Sequence, residues 1–453
     1  MRFTVFAFCV LGFAGNTRPA AAQQTSPGDG LANAASLFQN ARQPEAEQST
    51  GMTLDEAERI ALASNPEIEV AARRLAVAKA HLPAAGALDD PMAMYRGWGV
   101  PLKKPWDLNA AENMFSVSEN LPGSGKRALR TSLAESDADI AKTNLNEARL
   151  DVRISVRKAF NDLLLAQNEL QIHDQHVSIA RQAIEAARIR YASGDIPQQD
   201  ILKAQVALTA LAEHMIRFGR DADLARARLN SLLGRDPDEP LTVKGGHAVL
   251  TQLPAIRSLE AAALNHRPDL VAAQQAADRS HKEQSLARKA YTPDFTISAG
   301  YMLMPTGTDM RNDYMVEGTM SLPWLNRRKH DAEIAEATAK ATEQEAELAA
   351  LRNAARSQIQ QALVEAQAAQ NLAHMLHDLL LPQAEAALQA SVIAYANGKT
   401  EFLNLLDSQM TVIDTELNWI QAAGDYDAHL ADLEMATGIT TDQLTETAPE
   451  VKP

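Results

Sequence analysis

The chain has 453 residues, a formal net charge of −15 and a hydrophobic fraction of 46%. The acidic balance argues against nucleic acid as a partner, because nucleic-acid-binding surfaces are basic. Cys9 is the only cysteine, and it lies in an N-terminal segment with the features of a removable signal. The mature chain would then have no thiol, which excludes disulfides, thiolate metal sites and cysteine nucleophiles.

The first 50 residues divide into two parts. Residues 1–22 have the features of a secretory signal peptide: Arg2, an apolar run, and small residues at Ala20-Ala21-Ala22. Residues 23–50 are rich in Gln, Ser, Gly and Ala and are predicted to be irregular. No later stretch of about 18 apolar residues occurs, so we predict no membrane-spanning helix.

Two short helices are predicted next. Thr53-Leu54-Asp55-Glu56 has the pattern of a capping box, in which the Thr and Glu side chains satisfy free backbone N–H groups. The helix that it starts is predicted to run to about Ser64. Pro66 then opens a second helix, since proline is tolerated in a first helical turn.

Residues 88–122 and 291–325 have a different pattern, because they are rich in Gly, Pro, aromatic residues and Met, and they alternate with period two. Each segment is long enough for one β-hairpin. In the second, Phe295 and Ile297 lie on a predicted apolar side, and the opposite side begins with Thr296. Short strands with one apolar face, one polar face and aromatic ends fit a membrane β-barrel. The alternative is a small soluble sheet that caps the helices.

A very long helix is predicted from about Lys126 to Tyr191, where the sequence has neither proline nor glycine. Its length would be about 100 Å. Gly194 ends the helix, and a return helix runs from Pro197 to Gly234, so the two form an antiparallel hairpin. Apolar residues recur along both helices in steps of 3 and 4, the pattern of a heptad seam. In the first helix this seam is Leu145, Ala148, Val152, Val156, Ala159, Leu163, Ala166, Leu170, His173, Val177, Ala180, Ile184, Ala187 and Tyr191.

The chain is internally duplicated. Tyr191-Ala192-Ser193-Gly194 returns as Tyr395-Ala396-Asn397-Gly398 at an offset of 204, and Asn65-Pro66 returns as Arg267-Pro268 at an offset of 202. A unit of about 200 residues is too long for a solenoid repeat and predicts two equivalent halves. The predicted parts are the first repeat at 51–250, the second repeat at 251–440 and a tail at 441–453.

The second half repeats the long hairpin. Its helices are predicted from about Arg327 to Ala396 and from Glu401 to Thr437. Pro382 lies inside the first of them and is expected to kink it, because proline lacks the N–H that a helix interior needs.

This order of elements resembles the TolC-type outer-membrane efflux proteins over about residues 52–440. Leu121-Pro122-Gly123-Ser124-Gly125-Lys126-Arg127 is similar to the strand-to-helix junction of that family. Asp90-Pro91-Met92 and Tyr291-Thr292-Pro293-Asp294-Phe295 are similar to its heavy-metal-efflux branch.

The resemblance implies a mainly α fold with a small β part and no cofactor. Each protomer of a homotrimer would give four strands to a 12-stranded outer-membrane barrel, and the helical hairpins would form a periplasmic tube. A periplasmic adaptor and an inner-membrane pump would deliver the substrate. Four strands cannot close a barrel alone, and open sheet edges cannot lie in lipid, so the trimer is physically reasonable.

The resemblance also assigns roles to the hairpin turns. The expected adaptor-docking tips are Gly194, Asp195, Ile196, Gly398, Lys399 and Thr400. Acidic gate residues of the family would fall at Asn404 and Asp407. Asp407 matches the family pattern, whereas Asn404 departs from it, so one acidic ring instead of two is expected at the constriction.

Two groups of residues are weighed as metal ligands. His173 and His176 are three residues apart, as are His374 and His377, so each pair shares a helical face. His173 and His377 match at the repeat offset, and imidazole binds Cu, Ni or Zn, although His173 falls on the seam and could simply pack there. Met302 and Met304 share the predicted lumen side of the third strand, and thioethers suit Cu(I) or Ag(I), although methionine is also an adaptable packing residue.

No motif for a phosphate loop, a serine nucleophile or a zinc protease occurs, so we predict no enzyme. The leading prediction is an outer-membrane exit duct that exports heavy-metal cations. Drug efflux and type I secretion are alternatives with the same fold. A soluble periplasmic coiled-coil scaffold or adaptor is the alternative from a different class.

Overall fold

The computed structural model describes residues 51–103, 105–106, 110–194, 196–246, 253–306, 309–440 and 443. The predicted signal at 1–22, the predicted irregular segment at 23–50 and nearly all of the tail at 441–453 lie outside these residues. The helices of the first half are α1 Leu54–Ser64, α2 Pro66–Gly86, α3 Lys126–Ala192 and α4 Gln198–Leu232. Those of the second half are α5 Ile256–His266, α6 Pro268–Arg288, α7 Arg327–Met375, α8 Leu381–Ala396 and α9 Phe402–Thr437. The strands are β1 Met92–Trp98, β2 Glu112–Leu121, β3 Phe295–Thr306 and β4 Asp309–Met320.

The predicted capping box at the start of α1 is confirmed. The Glu56 N–H donates to Thr53 Oγ1 at 3.3 Å, and the Thr53 N–H donates to Glu56 Oε2 at 3.0 Å. These two bonds satisfy backbone donors that the first turn of a helix leaves free. Asn65 caps α2 in turn, since its Oδ1 accepts from the Glu67 N–H at 2.9 Å, and Pro66 occupies the first turn as predicted.

The first long hairpin is formed by α3 and α4, and the heptad seam of α3 is its buried face. Val156, Ala159 and Leu163 are fully buried there, in a cluster that also contains residues of α1, α2 and α4. Tyr191 is an exception, since 44% of it is exposed. It lies in the last turn of α3, beside the turn that leads to α4. No helix in the described part of the chain is long and apolar enough to cross a membrane.

The first arm of the second long hairpin was predicted as one helix with a kink at Pro382, and the structure interrupts it just before that residue. This arm is divided into α7, a π-helical turn at Leu376–Leu380 and α8. Pro382 lies in the first turn of α8, directly after the π turn. A proline removes one backbone donor and crowds the carbonyl four residues earlier, and a locally wider turn relieves this conflict.

The four strands form one antiparallel sheet in the order β1-β2-β3-β4, so β1 and β4 are its two edges within the chain. Phe295 and Ile297 are exposed, whereas the alternating Thr296 and Ser298 are half-buried, which confirms the predicted two-faced pattern. One cross-strand row on the apolar face consists of aromatic residues: Tyr95, Phe115, Tyr301 and Tyr314.

The landmarks of the internal repeat meet in space. Asn65 Nδ2 donates to the Leu232 carbonyl at 3.1 Å, and Arg267 Nη1 donates to the Ala436 carbonyl at 3.2 Å. In each half, the start of the second short helix therefore binds the end of the return helix. Gly438 has φ +74°, and a Cβ at that position would lie 2.6 Å from the His266 carbonyl oxygen. Only glycine fits this close approach.

Candidate functional site

The two hairpin turns lie where each long arm ends. Gly194 and Gly398 have φ of +82° and +67°, so both turns use the left-handed backbone that glycine adopts without strain. Lys399 is exposed, and its N–H donates to the Ala394 carbonyl at 2.9 Å, whereas Thr400 is half-buried. Ile196 packs against a buried cluster at the base of the turn. Asp195 lies outside the described residues.

The tips of the two hairpins are held together. Phe402 and Leu405 of α9 are buried against Ile184 and Ala187 of α3, in a cluster that joins the halves. The guanidinium of Arg190 lies 4.5 Å from the centre of the Tyr395 ring, and Nη1 donates to the Tyr395 carbonyl at 3.5 Å. Arg190 was not predicted, because a local pattern cannot show which helix of the other half is its neighbour.

The two expected gate residues share one exposed face of α9. Asn404 and Asp407 are both exposed, opposite the face that buries Phe402 and Leu405. Asn404 Nδ2 donates to Thr400 Oγ1 at 2.9 Å, which ties this residue to the start of the helix. The arrangement leaves the carboxylate of Asp407 free to face solvent.

The two histidines that match in sequence have different surroundings. His173 is fully buried between α3 and α4, with Nε2 3.3 Å from His214 Nδ1 and its ring 4.7 Å from Phe218. Burial and the neighbouring His214 lower the pKa of His173. His377 is half-exposed instead, and its Nδ1 lies 2.7 Å from Asp378 Oδ1.

A link between halves was not predicted. His176 Nε2 lies 2.9 Å from Glu416 Oε2, and His176 Nδ1 lies 3.1 Å from Gln409 Nε2, so one side chain of α3 binds two of α9. The i,i+3 spacing identified His176 as a face residue, but its partners come from 240 and 233 residues away in sequence.

An acidic groove between α3 and α4 was also not predicted from the sequence. It is lined by Asp162, Glu169, Asp221, Phe218 and Arg228, with Gln421 of α9 at one side. Burial, and then the nearby Asp221 carboxylate, raise the pKa of Glu169 to about 7. Among the described residues no group of three or more His, Cys, Asp or Glu side chains has the arrangement of a metal site.

The two motifs that resemble the family meet at the junction between sheet and helices. The Gly123 N–H and Lys126 Nζ both donate to Asp294 Oδ1, at 2.6 and 2.7 Å. Burial alone would raise the pKa of Asp294, but the bonds from Lys126 and Gly123 lower it. A Cβ on Gly123 would lie 2.6 Å from the Pro293 carbonyl oxygen, so the junction requires glycine. This contact joins the first half of the chain to the second.

Comparison with known proteins identifies the family. The model of the outer membrane efflux protein family matches residues 104–235 and 259–439, one stretch in each half and more than half of the chain together. The chain belongs to the outer membrane efflux protein family. This places it in the outer membrane with its helices extending into the periplasm, and a soluble periplasmic scaffold is therefore excluded. The family consists of channels, not enzymes.

Two relatives confirm the resemblance to the heavy-metal branch. The cobalt-zinc-cadmium resistance protein CzcC of Cupriavidus metallidurans is 25% identical over 377 residues, which cover 82% of this chain and 87% of that protein. The nickel and cobalt resistance protein CnrC of the same organism is 24% identical over 223 residues, 49% of this chain and 52% of that protein.

A solved structure shows the same fold. The outer-membrane channel OprN superposes with a TM-score of 0.72 at 20% identity, covering 85% of this chain and 89% of that one. The TolC-type architecture predicted from the sequence is thereby confirmed.

Proposed function

We propose that this member of the outer membrane efflux protein family is the exit duct of a tripartite system that exports heavy-metal cations. The cargo is inferred from the names of the two Cupriavidus relatives, one a cobalt-zinc-cadmium and the other a nickel and cobalt resistance protein. The duct itself carries out no reaction. The pump supplies the energy, and the adaptor connects the pump to the duct.

The observation that best supports the function as a duct is the four-stranded sheet. It has an exposed apolar face, and its edge strands β1 and β4 have no partner strand among the described residues of the chain. Unpaired edges in lipid cost several kcal/mol for each unsatisfied backbone group. Pairing β4 of one copy with β1 of the next, in three copies, removes the edges and encloses a lumen as a 12-stranded barrel.

The periplasmic ends of the hairpins would contact the adaptor. The proposed docking tips are the exposed turns around Gly194 and Gly398, including Lys399. The proposed gate is the exposed face of α9 that carries Asn404 and Asp407, repeated three times around the axis. A single ring of carboxylates would bind cations more weakly than two rings.

Metal tolerance tests this proposal. Deleting the gene should lower the concentrations of cobalt, zinc or cadmium that cells tolerate, and the wild-type chain should restore them. Tolerance to hydrophobic drugs serves as the control. Loss of drug tolerance or of protein secretion with unchanged metal tolerance would contradict the metal cargo and favour the other two uses of this fold.

A further inference from the structure

Methionines from all four strands lie on one face of the sheet. The pairing register places Met94 of β1 in one row with Ser116, Gly300 and Met315. The next row consists of Arg96, Met114, Met302 and Asp313. Side chains in paired positions share a face, so these four methionines, one from each strand, lie on the same face in two adjacent rows. We call Met94, Met114, Met302 and Met315 the methionine patch.

The spacing brings these four side chains within reach of one another. Met114 and Met302 are directly opposite across β2 and β3, where Cβ atoms lie about 5 Å apart. Met94 is diagonal to Met114, and Met315 is diagonal to Met302, at about 7–8 Å. Methionine has three flexible side-chain bonds, so its sulfur can cover that distance.

Small residues separate the outer two methionines. Ser116 and Gly300 lie between Met94 and Met315, and a Cβ on Gly300 would lie 3.0 Å from the Phe115 carbonyl oxygen and from Ser116 Cβ. A larger residue there would fill the space between the thioethers. This row therefore has a methionine at each end and only small side chains between them.

The patch faces away from the apolar surface of the sheet. The neighbouring row on the other face contains Val117 and Val316, which are 55% and 81% exposed. In a barrel that exposes these valines to lipid, the methionine patch faces the lumen. Met114 is buried, Met302 and Met315 are half-buried, and Met94 is the most accessible.

Charged neighbours limit where a cation could bind. Arg96 is paired with Met114, but its Nη2 lies 3.9 Å from Met94 Sδ, so the positive group adjoins the Met94 sulfur. Met304 is paired with Arg311, a second positively charged residue. Asp313 lies in the row of Met114 and Met302 and provides a carboxylate on their side, although it also accepts from Arg311 at 3.0 Å. The most favourable position is therefore between Met114, Met302 and Met315.

We infer that the methionine patch binds soft monovalent cations, Cu(I) or Ag(I), on their way through the lumen. Thioethers are soft ligands that favour Cu(I), whereas Zn and Co prefer imidazole or harder donors. The patch contains no His or Cys. This inference rests on the proposed metal-export function. It adds that the inner wall of the barrel binds one class of exported cation.

Nuclear magnetic resonance of methyl-labelled methionines in the purified full-length protein, in detergent and chloride-free buffer, tests the patch directly. Silver nitrate should shift the methyl signals of Met114, Met302 and Met315, and equal concentrations of Zn²⁺ or Co²⁺ should leave them in place. Shifts confined to methionines of the helices, or no shifts, would overturn the inference. Because this experiment uses the unmodified protein, it does not depend on the folding of a variant.

A pair of variants measures the affinity. The patch variant replaces the four patch methionines by leucine, which has a similar volume. The control variant replaces four methionines of the helices in the same way: Met215, Met375, Met410 and Met435. Silver should bind the patch variant at least tenfold more weakly than the control, and equal binding would contradict the site. Binding in detergent does not require export, so its outcome is separate from that of the metal-tolerance assay.

Discussion

The packing of α3 against α4 changes the pKa of one carboxyl group, that of Glu169. Glu169 lies in the groove between α3 and α4, where burial and Asp221 raise its pKa to about 7. In the unfolded chain the Glu169 carboxyl group has a pKa near 4.5. Between pH 4.5 and pH 7 the folded state therefore holds a proton that the unfolded state has lost. The contribution of Glu169 to stability therefore falls as pH rises through this range.

We expect Glu169→Gln to stabilise the protein at pH 8 and to change little at pH 5, because glutamine cannot ionise. The side chain is only partly buried, so solvent screening reduces the gain to the order of 1 kcal/mol. Thermal unfolding in detergent at both pH values measures it, with an expected shift of about 1 °C at pH 8 for a chain of this length.

Asp221→Asn is the matched control for this prediction. It removes the second cause of the raised pKa and leaves burial, the first cause, in place. It should therefore give a smaller stabilisation at pH 8 than Glu169→Gln does. Equal stabilisation of Glu169→Gln at pH 5 and pH 8 would show that the carboxyl group is not the reason.

At the scale of elements, the two faces of the sheet are expected to differ in how well they tolerate a charged side chain. Val117→Arg places a charge on the exposed apolar face of β2, and Ser118→Arg places the same charge on the other face one residue away. On the lipid side of a barrel an arginine costs about 2–4 kcal/mol near the bilayer centre, whereas a lumen side tolerates it.

We therefore expect Val117→Arg to reduce the amount of protein assembled in the outer membrane and Ser118→Arg to leave it near the wild-type amount. Fractionation of cells followed by immunoblotting of the outer membrane measures both variants. If Ser118→Arg were the more damaging of the two, the assignment of faces would be reversed.

At the scale of the whole molecule, the free edges of the sheet determine the assembly. One chain leaves β1 and β4 without partners, and three copies can pair them in a closed ring. We expect a trimer in the outer membrane that detergent extracts intact and heating dissociates. Mass measurement in detergent, before and after heating, checks this; a soluble periplasmic monomer or dimer would contradict it.

The two halves of the duplicated chain are joined by side-chain contacts along the helical part. Asp294 of the second half binds Gly123 and Lys126 of the first, and Glu416 of α9 binds His176 of α3. At the tips, Arg190 stacks on Tyr395. These contacts lie at both ends and in the middle of the helical part, so the two halves are joined along its length.

Local patterns determined which elements form. The 3-and-4 spacing predicts the seam of α3, since a helix presents every third or fourth residue to one side, and the period-two alternation predicts the two faces of the strands. The capping box and the turn glycines place element ends, because backbone geometry there depends on residues close in sequence. Repeated landmarks predict that the two halves are equivalent.

Only the tertiary structure decided what covers each face. Periodicity identified His173 as a seam residue but not His214 and Phe218 as its neighbours, and it could not distinguish the buried His173 from the half-exposed His377. The raised pKa of Glu169 and the methionine patch arise in the same way. Each needs side chains from separate elements, and their distances depend on strand register and helix packing, which no local window of sequence contains.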